Sequence, residues 1–188
     1  MDKTIEVMVS NHHVHLKQED MEILFGAGYE LTKVNMLGPR TYSCEEKILA
    51  CGPKGSIELR VLGPCRGYTQ IELLRSDTFK LGIKAPLRDS GEVEGSAPIK
   101  LVGPKGELEL KEGAIVAKRH IHIGHKYADP YGLVDGEMVS VLFEGERGLT
   151  LNEVLVHVTP RDDNVMHIDM DEANAAGVGN HYIAKILK

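Results

Sequence analysis

Two histidine pairs dominate the chemistry available to this sequence. SNHHVHL (10–16) holds His13 and His15, and RHIHI (119–123) holds His120 and His122. Side chains alternate faces along a strand. His13 and His15 therefore point one way and Val14 the other, and His120 and His122 share a face opposite Ile121. Two imidazoles on one side of a strand can chelate a single metal ion. Imidazole suits Zn2+, with Ni, Cu or Fe less decisively indicated. A lone pair of this kind is more often a surface hydrogen-bonding group; two pairs in matching contexts favour metal. His167, in VMHID (165–169), has strand-like apolar neighbours and is a further candidate ligand. His12 and His125 stand open as ligands, outer donors or solvent-facing groups. His157 and His181 read as structural.

A dinuclear centre needs a bridging oxygen, and Glu72 in TQIELL (69–74) is the best carboxylate for it. Counting by twos, Arg66, Gln70 and Glu72 share a face if one strand runs unbroken through Gly67. A solvated outer face is the competing reading, and this segment alone favours it. Cys65 is the only tempting nucleophile, since a neighbouring cation lowers a thiol pKa. As the alternating neighbour of Arg66 it should point away from that cation.

The elements that must position these residues are mostly strands. TIEVMVS (4–10) reads as a strand, and residues 18–25 as a helix stopped by Gly26. A loop follows around LGPR (37–40). KILACGPKGSIELRVL (47–62) is a hairpin whose GPKG turn suits type I. The turn recurs at 103–106 between IKLV and ELEL, an internal echo of the first hairpin. DSGEVEGS (89–96) reads as a surface loop. Beyond Arg119 come a helical turn near Ala128, the run GLVDGEMVSVL (132–142), a helix over 171–177 capped by Asp169 or Asp171, and a closing strand over 181–187. The expected fold class is mainly β with short capping helices, arranged as two small β-barrels or curled sheets.

Composition sets the outer limits. The 188 residues are 42% hydrophobic and 27% charged, with a formal charge of −6. That charge argues against an electrostatic nucleic-acid binder, which needs a basic face. No apolar run approaches the roughly 20 residues of a membrane span. Cys44, Cys51 and Cys65 form no C-x-x-C pair, which suggests reduced thiols. The N-terminus enters a strand with no signal peptide ahead of it, so a cytoplasmic location is expected.

Seven motifs in order carry a family resemblance: SNHHVHL (10–16), GPKG (52–55), RVLGPCRGYTQIE (60–72), APLRDSG (85–91), GPKG (103–106), RHIHI (119–123) and MHIDMDEANAAG (166–177). Together they resemble the PduL-type phosphotransacylases, the phosphate propanoyltransferases, over nearly the whole chain. The resemblance implies two β-barrel domains, discontinuous in sequence, with a dinuclear zinc site between them. One domain takes residues 1–11 and 112–188 with the second histidine pair. The other takes 12–111 with the first pair, Arg66 and Glu72. It implies His13 and His15 on one zinc, His120, His122 and His167 on the other, Glu72 bridging, and Arg66 on phosphate. Coenzyme A contacts carry over to Val9, Ser10, Asn11, Lys54, Arg60 and Asn174; the sequence does not fix the oligomer, with a homodimer one option.

This sequence departs from the family pattern in places. His12 and Lys17 replace an arginine and a helix-capping serine, and GPRTY (38–42) replaces a glutamine-rich loop. Microcompartment members carry an N-terminal extension ahead of the first strand. A free cytoplasmic form is therefore expected, with the microcompartment lumen the alternative for a chain that has lost such an extension.

The implied activity converts a short-chain acyl-CoA, propanoyl or acetyl, plus phosphate into acyl phosphate plus CoA, reversibly. The expected mechanism is direct attack of zinc-bound phosphate on the thioester, with Arg66 offering a bidentate fork. Two rival classes use the same residues: a dinuclear zinc thioesterase or other hydrolase, and a non-enzymatic barrel stapled by zinc.

Overall fold

The computed structural model describes residues 2–38 and 40–188; Pro39, in the loop expected around 37–40, lies outside the described residues. In chain order the elements are β1 (Thr4–Ser10), β2 (His13–His15), α1 (Gln18–Phe25), β3 (Lys33–Met36), β4 (Tyr42–Cys51), β5 (Ser56–Gly63) and β6 (Gln70–Glu72). Then come α2 (Arg75–Leu81), β7 (Leu87–Arg88), β8 (Ala97–Val102), β9 (Glu107–Ala117), β10 (His120–Gly124) and α3 (His125–Tyr131). The chain closes with β11 (Met138–Phe143), β12 (Leu149–Thr159), β13 (Asn164–Asp169), α4 (Met170–Ala176) and β14 (Tyr182–Leu187). The expected class, mainly β with short helices and two barrels, is the one observed. The compact units are Met1–Asn11 with Lys118–Lys188, and His12–Ala117.

In the first unit six strands close into a ring, β1-β13-β10-β12-β11-β14. Alternation builds its core. Along β10, Ile121 and Ile123 are fully buried, while His120 and His122 on the other face are half-buried. Met166, Val156, Val7 and Phe143 fill the same interior. Full burial of each such side chain is worth about 1.5–3 kcal/mol.

The second unit also closes. β8 pairs with both β9 and β4, which completes the ring β4-β5-β2-β6-β9-β8, with β3 and β7 attached outside it. Val14, Val61, Ile71, Leu101 and Ala114 fill this core. The repeated GPKG turns have reciprocal tasks. Lys54 N–H donates to Leu81 O at the end of α2 (3.0 Å), and Lys105 N–H donates to Leu24 O near the end of α1 (3.0 Å). Each turn thus satisfies a carbonyl that a helix C-terminus leaves without a partner.

Candidate metal centre

In the second unit, β2 and β6 run antiparallel with His13 opposite Glu72, Val14 opposite Ile71 and His15 opposite Gln70. Val14 and Ile71 enter the core, so both histidines, Gln70 and Glu72 share the other face. The His13 and His15 rings meet edge to face at 5.0 Å, and His13 Nε2 lies 3.5 Å from Glu72 Oε2. Gln70 is completely buried. Its Nε2 donates to Glu72 Oε1 (2.7 Å), and its Oε1 accepts from Gly91 N–H (2.7 Å). Ser90 Oγ also donates to Glu72 Oε1 (3.0 Å). The segment expected to be a surface loop therefore brings Ser90 to the carboxylate and Gly91 to the glutamine that holds it.

The physical environment of this face explains its titration. Burial opposes the charge of Glu72, but the charge and hydrogen bond of His13, with His15 and Ser90, outweigh it and hold the carboxyl well below its usual range. Burial does most to push His15 down to about 3, with His13 and Arg66 adding to it. The expectation of one unbroken strand from Arg66 to Glu72 is corrected: residues 64–69 leave the sheet. Arg66 arrives instead through an isolated bridge beside Lys17, its N–H bonded to Leu16 O at 2.8 Å. The solvated-face reading is corrected too, because neighbouring strands and the 89–91 segment enclose Gln70. Cys65 turns to Met21, Sγ to Sδ 3.6 Å, and burial pushes its thiol pKa up.

In the first unit, β10 and β13 run antiparallel with His120 opposite His167. The His120 and His122 rings lie 4.8 Å apart, and His167 lies 5.0 and 5.6 Å from them. His120 Nδ1 lies 2.9 Å from Lys118 O, a contact that requires an N–H there, so Nε2 is the nitrogen with a lone pair to offer a metal. His122 is pushed down to about 4, mainly by burial and then by His120 and His157.

His157, read from sequence as structural, belongs beside this cluster. It stands in register with His122 on parallel β12, and the two rings stack at 5.4 Å. Its neighbours Val156 and Val158 hold no signal of this; only the strand pairing places it. The remaining histidines have other partners. His12 Nδ1 lies 2.9 Å from Asp77 Oδ2, the carboxylate that accepts Leu74 N–H at the start of α2. His125 faces Asp129 (3.4 Å) and His181 faces Glu6 (2.5 Å), both exposed.

The donor sets fit zinc. In each triad, His13–His15–Glu72 and His120–His122–His167, one ligand atom from each residue lies within 4.8 Å of the others. Among the described residues, His15 Nδ1 and His122 Nδ1 are buried without a hydrogen-bond partner. Buried polar atoms are rarely left so, and a cation would satisfy them. Three nitrogen and oxygen donors leave a coordination position open, as catalytic zinc sites do.

The residues carried over for coenzyme A are drawn from both units. In the first unit, Val9 N–H already donates to Asn180 Oδ1 (2.7 Å), Ser10 pairs with Asp169 at the end of β1, and Asn11 follows it. Asn174 lies in α4, where its carbonyl accepts Gly177 N–H. In the second unit, Arg60 pairs with His13 across β5 and β2, and its Nη1 donates to Cys44 O (2.7 Å). Lys54 is at the hairpin turn, about 20 Å farther along at strand rise, with its methylenes packed against Gly82.

Among the described residues no helix is long and apolar enough to cross a membrane. The sequence profile of the phosphate propanoyltransferase family matches residues 6–179. The chain is similar to the phosphate propanoyltransferase of Clostridioides difficile, at 47% identity over 98% of this chain and 89% of that protein. It is similar to that of Thermotoga maritima at 50% identity, covering 92% of this chain and 83% of the relative. The Salmonella typhimurium phosphate propanoyltransferase is 45% identical over 98% and 90% of the two chains. Matches of this extent accompany a pair of triads suited to metal, and the chain belongs to the phosphate propanoyltransferase family.

Proposed function

We propose that this protein transfers a short acyl group, propanoyl or acetyl, reversibly between coenzyme A and inorganic phosphate, with one zinc ion held by each triad. The observation that carries the reading is the pair of three-donor clusters, each with a histidine nitrogen left without a partner, in a chain of this family. When bound, zinc would orient phosphate and polarise the thioester carbonyl. Arg66 grips the phosphate oxygens with its planar fork, which a lysine cannot reproduce. A phosphate oxygen forms the new bond to the acyl carbon, the carbon–sulfur bond breaks, and coenzyme A leaves as its thiolate. Glu72, held by Gln70 and Ser90 and committed to metal, is not the free base. Cys65 is not the nucleophile, because its thiol is held up in pKa and faces Met21. Val9, Ser10, Asn11, Arg60, Lys54 and Asn174 are proposed to contact coenzyme A.

The test is release of free CoA thiol from propanoyl-CoA and acetyl-CoA, with and without phosphate, on zinc-loaded and chelated protein. Release that needs both phosphate and zinc is expected. Zinc-dependent release indifferent to phosphate would make the protein a hydrolase, and no release would leave the metal a structural role.

A further inference from the structure

The two barrels share one wiring. In the second unit β2 runs parallel to β5 and antiparallel to β6, β6 runs parallel to β9, and the antiparallel pairs β9–β8, β8–β4 and β4–β5 close the ring. In the first unit β10 runs parallel to β12 and antiparallel to β13, β13 runs parallel to β1, and β1–β14, β14–β11 and β11–β12 close it. The wirings superpose strand for strand, with β1 in the place of β9. His13 and His120 then correspond, as do His15 and His122.

The correspondence holds at the level of single residues. His13 is opposite Arg60 and Glu72; His120 is opposite Leu155 and His167. Arg60 and Glu72 are twelve residues apart, and so are Leu155 and His167. Between them, the segment that leaves the sheet is residues 64–69 in the second barrel and the shorter 160–163 in the first. Six residues before Glu72 stands Arg66, and six residues before His167 stands Arg161. Arg66 bridges to Lys17, two residues after His15. The backbone of Arg161 packs onto Gly124, two residues after His122, so closely that a Cβ there would strike the Arg161 carbonyl.

We infer that Arg161 is the counterpart of Arg66 and binds a phosphoryl group at the His120–His122–His167 triad. The side chain is set up for this. Its Nε is oriented by Asp163 Oδ2 (2.9 Å), which Thr159 Oγ1 also holds (2.9 Å). Half of the side chain is exposed, and among the described residues nothing takes its terminal amino groups. One difference separates the two sites. Asp163 stands where the second barrel has Tyr68, and its carboxylate offsets the guanidinium charge. Phosphoryl binding at Arg161 therefore depends on a cation in the adjacent triad. The substrates contain more than one phosphoryl group, because coenzyme A brings its own beside inorganic phosphate.

The inference rests on the phosphate role proposed for Arg66, so the test runs both arginines in parallel. Binding of inorganic phosphate and, separately, of coenzyme A is measured by titration calorimetry on zinc-loaded protein, with zinc content and circular dichroism recorded for each variant. Arg161→Ala is expected to weaken one of the two ligands by tenfold or more at unchanged zinc content, and Arg161→Lys to recover only part. Weakened phosphate identifies the inorganic anion, and weakened coenzyme A identifies its phosphates. Arg161→Gln, which keeps a donor to Asp163, decides the matter should the alanine variant lose zinc or fold. Both affinities within twofold of the parent in Arg161→Gln or Arg161→Ala overturn the inference. If Arg66→Ala weakens phosphate while the Arg161 variants leave both ligands unchanged, only the role of Arg161 falls; if Arg66→Ala leaves phosphate unchanged too, the role of Arg66 falls as well.

Discussion

At the scale of single residues the best-supported positioning group is Gln70. It has no exposed surface, and it is fixed by Gly91 N–H while it donates to Glu72. Groups that orient a metal ligand typically matter 10–100-fold in metal affinity. On the two-zinc proposal, Gln70→Ala is expected to weaken zinc at the His13–His15–Glu72 triad by about that factor, read by competition with a chromophoric chelator. Cys65 gives the opposite expectation. Its thiol faces Met21 and is held above its ordinary pKa. Cys65→Ser should keep turnover within about threefold of the parent, the scale of a minor core change rather than of a lost nucleophile. Loss of turnover with zinc content intact would defeat direct transfer.

At the scale of elements, the twin turns and the β4 carboxylate carry the tests. A Cβ on Gly103 would stand 2.5 Å from Leu24 O, against the end of α1. Gly103→Ala should destabilise by about 1–3 kcal/mol in denaturant melts, while Gly179→Ala, which meets nothing within 4 Å, should not. Glu46, in β4, is 7% exposed and accepts from Thr32 N–H (2.9 Å) and Tyr29 O–H (3.0 Å). Burial works against its charge, but these hydrogen bonds prevail and its pKa is lowered. A depressed carboxyl stabilises the fold above its unfolded pKa, about 4.3, and loses that contribution as pH falls through the folded value. Glu46→Gln should therefore be less stable than the parent by roughly 1.5–3 kcal/mol at pH 7. The gap should narrow below about pH 4 in melts across pH.

At the scale of the whole molecule, the first barrel is assembled from both ends of the chain. β1 pairs with β13 on one side and β14 on the other. Deleting Thr4–Ser10 opens that ring and exposes two strand edges. On the two-zinc proposal, the deletion should lower bound zinc from two to about one per chain by elemental analysis, with the His13–His15–Glu72 site retained. Loss of both ions would show that the second barrel depends on the first.

The sequence by itself determined the local geometry: alternation in SNHHVHL and RHIHI aligns each histidine pair, the GPKG repeats mark two hairpins, and the strand-rich pattern sets the class. These signals are local because side-chain direction follows backbone period. Only the tertiary structure decided what enclosed those residues. Gln70 and Glu72 look the same in sequence on a wet face as on a buried one, and burial depends on the 89–91 segment and the neighbouring strands. His157 joins its cluster through a parallel pairing with β10 that no local pattern encodes. The likeness of Arg161 to Arg66 appears only when two barrels of different sequence are laid strand on strand. Long-range pairing decides such matters, because it sets which faces meet and which charges lie within reach of one another.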